Sequence, residues 1–278
     1  MSRSLRTGQI LAAAAVILGA HCVRPALAQE VVDVELVLAV DVSLSMSPQE
    51  LEIQRRGYAA ALTDDGVLQA IADGAYGKIA VTYFEWAGAT SQHLIVPWTV
   101  IASRADAERV VAQLGANPPN SARRTSISGA LEFGADLFAE SQFRSLKRVI
   151  DISGDGPNNQ GGPVVLSRDS AVAQGIVVNG LPLMTSGGFT SVYDVKDLDN
   201  YYTNCVIGGP GSFMIPVNDW EQFPEAIRRK LVLELADNFE PPPADEGFPV
   251  ILAQDVQGYD CMIGEKMWRD RSFMWDSR

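Results

Sequence analysis

Histidine and cysteine are scarce in this chain, with two and three among 278 residues, and basic side chains are outnumbered 22 to 34 by acidic ones. The scarcity sharpens once the first residues are set aside. Arg3 and Arg6 precede an apolar stretch at 10–20, and "PALA" at 25–28 puts small residues where a signal peptidase reads. That stretch is shorter than the ~20 apolar residues a spanning helix needs. The arginines are not adjacent, which favours a Sec-type over a twin-arginine signal. His21 stands where a lipoprotein signal would have a small residue before Cys22. Cleavage after Ala28 is therefore expected, giving a periplasmic or secreted protein with no transmembrane segment in the mature chain.

Removing 1–28 leaves 19 basic residues against 34 acidic ones, a formal charge of −15. Such a surface repels nucleic acid and anionic lipid, so neither is an expected partner. His93 becomes the sole histidine, which excludes zinc sites built on two histidines and leaves a histidine-based triad resting on one residue. Its setting, "SQHLIVPW", is strand-like without a nucleophile motif, and suits an edge or surface histidine. Cys205 and Cys261 also remain, an even number in a compartment where disulfides persist. A Cys205–Cys261 bridge would staple the C-terminal tail to the body; the alternative is two separate buried thiols.

What is present is a regular alternation. "VELVLAV" (34–40) is a continuous apolar run, as expected of a central strand covered on both faces. "SPQELEIQRRGYAAALTD" follows as a helix, with Ser47 as N-cap, Pro48 in the first turn and Glu50 completing a capping box. "KIAVTYFEWAG" and "HLIVPWTVI" read as paired antiparallel strands, "KRVIDIS" and "IVVNGLPLM" as further strands, and "SFMIPV" as another. Between them lie helical segments, including "TSISGALEFGADLFAES", "DVKDLDNYYTNCVIGG" and "WEQFPEAIRRKLVLELA". Strands separated by helices predict a doubly wound α/β fold, a mainly parallel sheet with helices on both faces. The division expected is a signal peptide at 1–28, one domain at 29–237, and a C-terminal extension at 238–278 packed on it. The extension opens with an acidic, proline-rich linker and resists assignment near "MWRDRSFMW". Asp151, inside a strand, calls for a hydrogen-bonded partner, since burying an unpaired carboxylate is costly.

Ligands of open parallel sheets bind at the carboxyl ends of the strands, and three polar loops fall there. "DVSLS" places Asp41, Ser43 and Ser45 directly after the first strand. Thr125 opens a helix after a long loop. Asp155 follows "KRVIDIS" between Gly154 and Gly156.

These pieces resemble the von Willebrand factor A-like, or integrin I-domain-like, family. D-x-S-x-S after the first strand, Thr125 with Ala130 and Leu131 beyond it, and Asp155–Gly156 after an apolar strand match its three loops in order. "SGDGPNNQGG" and "FEWAGA" look closer to an exported bacterial family of A-like proteins, a likeness that carries no activity with it. The resemblance implies a metal-ion-dependent adhesion site in which Ser43, Ser45 and Thr125 bind a divalent cation directly, while Asp41 and Asp155 hold metal-bound waters. Hard oxygen donors suit Mg²⁺ first, with Ca²⁺ or Mn²⁺ as alternatives, and are poor for zinc. The ion would then take an acidic side chain of another protein.

Arg123 and Arg124 depart from the small residues usual before the family's threonine and are candidates for a partner-binding rim. Trp86 is a third rim candidate, as is Trp98, with the core as the alternative place for a strand aromatic. Gly154 replaces a hydroxyl residue often found before the last aspartate. The function expected is an exported, metal-dependent protein-binding module. One alternative is a Mg²⁺-dependent phosphohydrolase with Asp41 as nucleophile, although Ser43 stands where such enzymes carry a second acid and Lys147 precedes its strand. The other is a structural envelope protein with a vestigial metal site.

Overall fold

The computed structural model describes residues 29–116, 118, 120–185, 195, 197–236, 249–253 and 258–276, with backbone alone from 271 onward. The expected signal peptide and most of the proline-rich linker lie outside the described residues. Strand β1 (Glu30–Asp41) is longer than its apolar run and is buried from Val32 to its end. Its side chains alternate between two cores: Leu36, Leu38 and Val40 enter one, Val37 and Ala39 the other. The charged residues in its first half are answered locally. Asp33 accepts from the backbone N–H groups of Tyr76 (2.9 Å) and Lys78 (3.2 Å), and Glu35 accepts from Ser145 Oγ at 2.7 Å.

After β1 come α1 (Pro48–Leu62), α2 (Asp65–Ala72), the hairpin of β2 (Ile79–Trp86) and β3 (Gln92–Ile101), and α3 (Arg104–Leu114). Then follow α4 (Ile127–Ala139), β4 (Phe143–Gly154), α5 (Val164–Ala173), β5 (Ile176–Pro182) and α6 (Leu198–Tyr201), which runs into a π-helical turn at Tyr202–Val206. The chain closes with β6 (Phe213–Met214), α7 (Phe223–Leu235), β7 (Ile251–Leu252) and α8 (Ile263–Asp276). Ser47 caps α1 as its sequence requires: its hydroxyl accepts from Glu50 N, and Ser47 N donates to Glu50 Oε2 at 2.6 Å.

The seven strands run in the order β3-β2-β1-β4-β5-β6-β7. β1 pairs in parallel with both β2 and β4, whereas β3 and β7 are antiparallel edges. Residues of α1, α2, α3 and α7 fill one core, and residues of α4, α5, α6 and the π turn fill the other. The doubly wound, mainly parallel architecture is therefore the one the alternation of elements predicts. β6 is shorter than "SFMIPV" suggested: Ile215 N donates to Gly180 O and Val217 N to Pro182 O, but Pro182 of β5 has no N–H to return to the ladder, and pairing resumes as a Leu183–Val217 bridge. β7 and α8 lie in the tail that sequence patterning left unassigned. Cys205 of the π turn and Cys261 are joined in a disulfide across 56 residues of sequence.

From β1 the chain adds strands on one side (β2, β3) and later on the other (β4 onward). The order thus reverses between β1 and β4. Such a switch point leaves a crevice beyond the carboxyl ends of the two strands, and Asp41 and Asp155 flank it.

Candidate metal centre

Asp41 is the last residue of β1 and is fully buried. Its Oδ1 accepts from Ser43 N at 2.7 Å, which folds the chain back into a tight turn. That turn brings Ser43 Oγ to 2.8 Å from Ser45 Oγ, and Ser45 Oγ in turn donates to Asp155 Oδ1 at 2.8 Å. A continuous string of oxygens thus links the first loop to the third, across 110 residues of sequence. Asp41 Oδ2 is buried with no hydrogen-bond partner. Burial, and secondly the Asp155 carboxylate, push the Asp41 carboxyl well above the usual carboxylate range.

The second loop is tied to both neighbours. Leu44 N donates to Ala122 O (2.9 Å), and Ser126 N donates to Ala87 O (2.7 Å). Thr125, nearly buried, donates its N–H to Asn159 Oδ1 (3.0 Å) and accepts from Asn159 N (2.8 Å). Asn158 does similar work one residue earlier: its Oδ1 accepts from Ser128 N at 3.0 Å, at the start of α4. These asparagines are the clasps of the site, and sequence reading singled out neither. Their signal was two adjacent amide side chains in a Gly/Pro-rich loop, a type that pairs readily with nearby backbone.

All five residues of the three loops therefore gather at one edge. Arg123 and Arg124 line the same cavity of about 400 Å³ as Ser43, Ser45, Thr125 and Asp155. Trp86 does not belong to the rim. It is wholly buried because β2 is an interior strand with both faces covered, and its ring lies beneath the edge. Trp98 is half-buried and donates to Leu137 O at 3.0 Å. His93 is exposed on the edge strand β3, and Lys147 donates to Glu234 O at 3.0 Å, seven residues before the end of β4. Gly154 has a steric reason: an added Cβ would sit 3.0 Å from both Asp41 Oδ2 and Tyr202 Oη.

Among the described residues, no three His, Cys, Asp or Glu side chains come together as a metal cluster. A cation at this edge would need the hydroxyls. The donor set fits one: hard oxygens only, a buried carboxylate oxygen lacking a donor, and two acids close enough to repel.

The family model described as "Protein of unknown function (DUF1194)" matches residues 30–239. The chain belongs to that family. No curated protein matches it. Among solved structures, the pilus adhesin SpaC of Lactobacillus rhamnosus GG shares the fold with a TM-score of 0.54 at 13% identity, over 73% of this chain and 31% of that one. Proximal thread matrix protein 1 of the mussel byssus, "with zinc occupied MIDAS motif", gives 0.51 at 16%, over 74% and 48%. A von Willebrand factor type A protein from Catenulispora acidiphila gives 0.50 at 13%, over 73% and 43%. The DUF1194 chain thus spans less than half the length of each. At these identities the likeness establishes a von Willebrand factor A-like fold.

Proposed function

We propose that this DUF1194 protein is an exported, adhesion-type module that grips an acidic group of another protein through a divalent cation. The observation that carries the reading is the oxygen string Ser43–Ser45–Asp155 beside the unanswered Oδ2 of Asp41. Ser43, Ser45, Thr125, Asp41 and Asp155 would hold the cation, for which Mg²⁺ is the first candidate and Ca²⁺ and Mn²⁺ the alternatives. When bound, the ion supplies an electrophilic point for a partner carboxylate. The chain's own part is to fix the donors: Asn158 and Asn159 hold the second loop against the third, and Ser43 N fixes the Asp41 carboxylate.

An adhesin and a byssal matrix protein among the structures of this fold support a binding role. The mussel protein's zinc makes Zn²⁺ a necessary comparison in any titration. Export is supported by the signal-like residues 1–28 and by the disulfide. No helix among the described residues is long and apolar enough to cross a membrane.

Calorimetric titration of the chain with Mg²⁺, Mn²⁺, Ca²⁺ and Zn²⁺ tests the site directly. Wild type should bind at least one ion and Asp41→Ala should bind none, with unchanged circular dichroism. Equal affinity in the two proteins would remove Asp41 from the site, and no uptake by wild type would sink the reading.

A further inference from the structure

The C-terminal helix α8 stands beside the three loops and is fixed there at its first turn. The Cys205–Cys261 bridge anchors the chain two residues before it. Asn158 Nδ2 donates to Glu265 Oε1 at 2.7 Å. Gly264 presses so closely that an added Cβ would lie 2.1 Å from the Asn158 carbonyl oxygen. One turn further on, Met267 and Trp268 line the cavity that holds Ser45 and Asp155. Trp268 meets the second loop as well: the Arg124 guanidinium lies 3.4 Å from its ring centroid. Arg124 is also the single non-glycine residue with positive φ (79°) among the described residues. That conformation persists only where its surroundings enforce it.

We infer that α8 turns the ion edge from an open face into a pocket for one projecting peptide segment, an acidic residue followed by an apolar one. The inference rests on the proposed cation site. Three observations select this occupant. The cavity, about 400 Å³, is at the small end of ligand pockets, enough for a few side chains and not for a domain face. Its apolar walls, Leu44, Pro157, Met267 and Trp268, match an apolar residue beside the acid. Arg123 and Arg124 bring positive charge to its lining in a chain of net charge −12.

Fluorescence polarisation with labelled peptides tests this on the disulfide-intact chain in Mg²⁺. The probes are Gly-Asp-Phe-Gly, Gly-Asp-Gly-Gly and Gly-Asn-Phe-Gly, each capped at both ends. The Asp-Phe peptide should bind about tenfold more tightly than the Asp-Gly peptide, as expected for partial burial of one aromatic ring. The Asn peptide should not bind. Trp268→Ala should bring the Asp-Phe advantage to within about twofold while leaving Mg²⁺ affinity unchanged. Met267→Ala, which keeps the Arg124–Trp268 stack, should reduce it about threefold. Equal binding of the two Asp peptides, an advantage that survives Trp268→Ala, or Mg²⁺ uptake with no peptide binding would each overturn the pocket. Free 3-phenylpropionate binding as tightly as the Asp-Phe peptide would assign the pocket to small acids and overturn the peptide reading. Absence of Mg²⁺ uptake, measured without any peptide, is the separate result that removes the cation site itself.

Discussion

Three residues before the end of β4, Asp151 is wholly buried and lies 2.7 Å from the Lys230 ammonium, which also pairs with Glu234. Four residues on, just past the strand's end, Asp155 is linked to the buried Asp41 through the Ser45 and Ser43 hydroxyls and Ser43 N, and Asp41 Oδ2 has no donor. The two clusters lie on neighbouring strands and each has a fully buried aspartate, but they differ in what answers their charge. At the first, α7 delivers a lysine from within the chain. At the second, the Asp41 carboxylate accepts from Ser43 N at its Oδ1. Asp33, Glu35 and Glu85 accept hydrogen bonds from the chain's own donors. Buried carboxylate oxygens without a hydrogen-bond donor occur in both clusters, on Asp151 and Glu234 as well as on Asp41, but at the first a lysine ammonium lies 2.7 Å from Asp151. That contrast is the physical case for an external cation at the edge and against one in the middle of the sheet.

Removing the internal cation should produce the largest effect. Lys230→Met leaves Asp151 and Glu234 buried without their ammonium, and breaking a buried pair from one side costs about 3–5 kcal/mol. Urea denaturation should show that loss in the midpoint with the slope unchanged. Restoring apolar balance with Lys230→Met, Asp151→Leu and Glu234→Leu together should recover most of it. A Lys230→Met protein of wild-type stability would mean that the ammonium is not what holds Asp151.

The edge cluster should respond in the opposite sense. Asp41→Asn removes a buried negative charge beside Asp155, so without metal the variant should be at least as stable as wild type. The difference should appear on adding Mg²⁺. Wild type should gain about 2.7 kcal/mol at a hundredfold excess over Kd, and the variant should gain nothing. Thermal melts with Mg²⁺ and with EDTA measure both halves. A metal-free variant clearly weaker than wild type would show that Asp41 is structural and would dissolve the contrast.

Much of this contrast was legible in the sequence, for a reason specific to parallel sheets. Strands covered on both faces read as unbroken apolar runs, so the carboxylate that ends "VELVLAVD" or "KRVIDISGD" stands out against what precedes it. Ser43 and Ser45 follow at alternate residues, and the turn that Ser43 N closes on Asp41 Oδ1 brings their hydroxyls together. The partner of Asp151 was expected but not identifiable, because Lys230 is 79 residues away in sequence and its helix gives no sign of the strand residue it faces. Trp86 misled for a related reason: position near a strand end does not reveal what packs over that face of the sheet, and residues of α4 and the π turn do. The role of α8 was the least visible. "IGEKMWRD" has mixed charge and a modest apolar stripe, and its place is set by Cys205, Asn158 and Arg124, all far away along the chain.

The effect that is smallest per step of the variable, a slope against pH, is also the one that separates the two clusters. Burial first, and then Glu234, raise the Asp151 carboxyl to about 7 against the pull of Lys230. A folded-state value above the unfolded one favours folding in acid. The contribution is complete below about pH 4, where both states are protonated, and is lost as pH rises towards about 7. Wild type should therefore lose stability across that window with a slope of at most about 1.4 kcal/mol per pH unit from this group. Asp151→Asn should flatten the slope by that share. Saturating Mg²⁺ should leave the Asp151 share untouched, since Lys230 and not an external ion answers that carboxylate. Urea midpoints of the two proteins between pH 4.5 and 7.5, with and without Mg²⁺, give the four slopes needed. If Mg²⁺ removes the part of the slope that Asp151→Asn removes, the clusters are coupled along β4 and the sheet does not keep them apart.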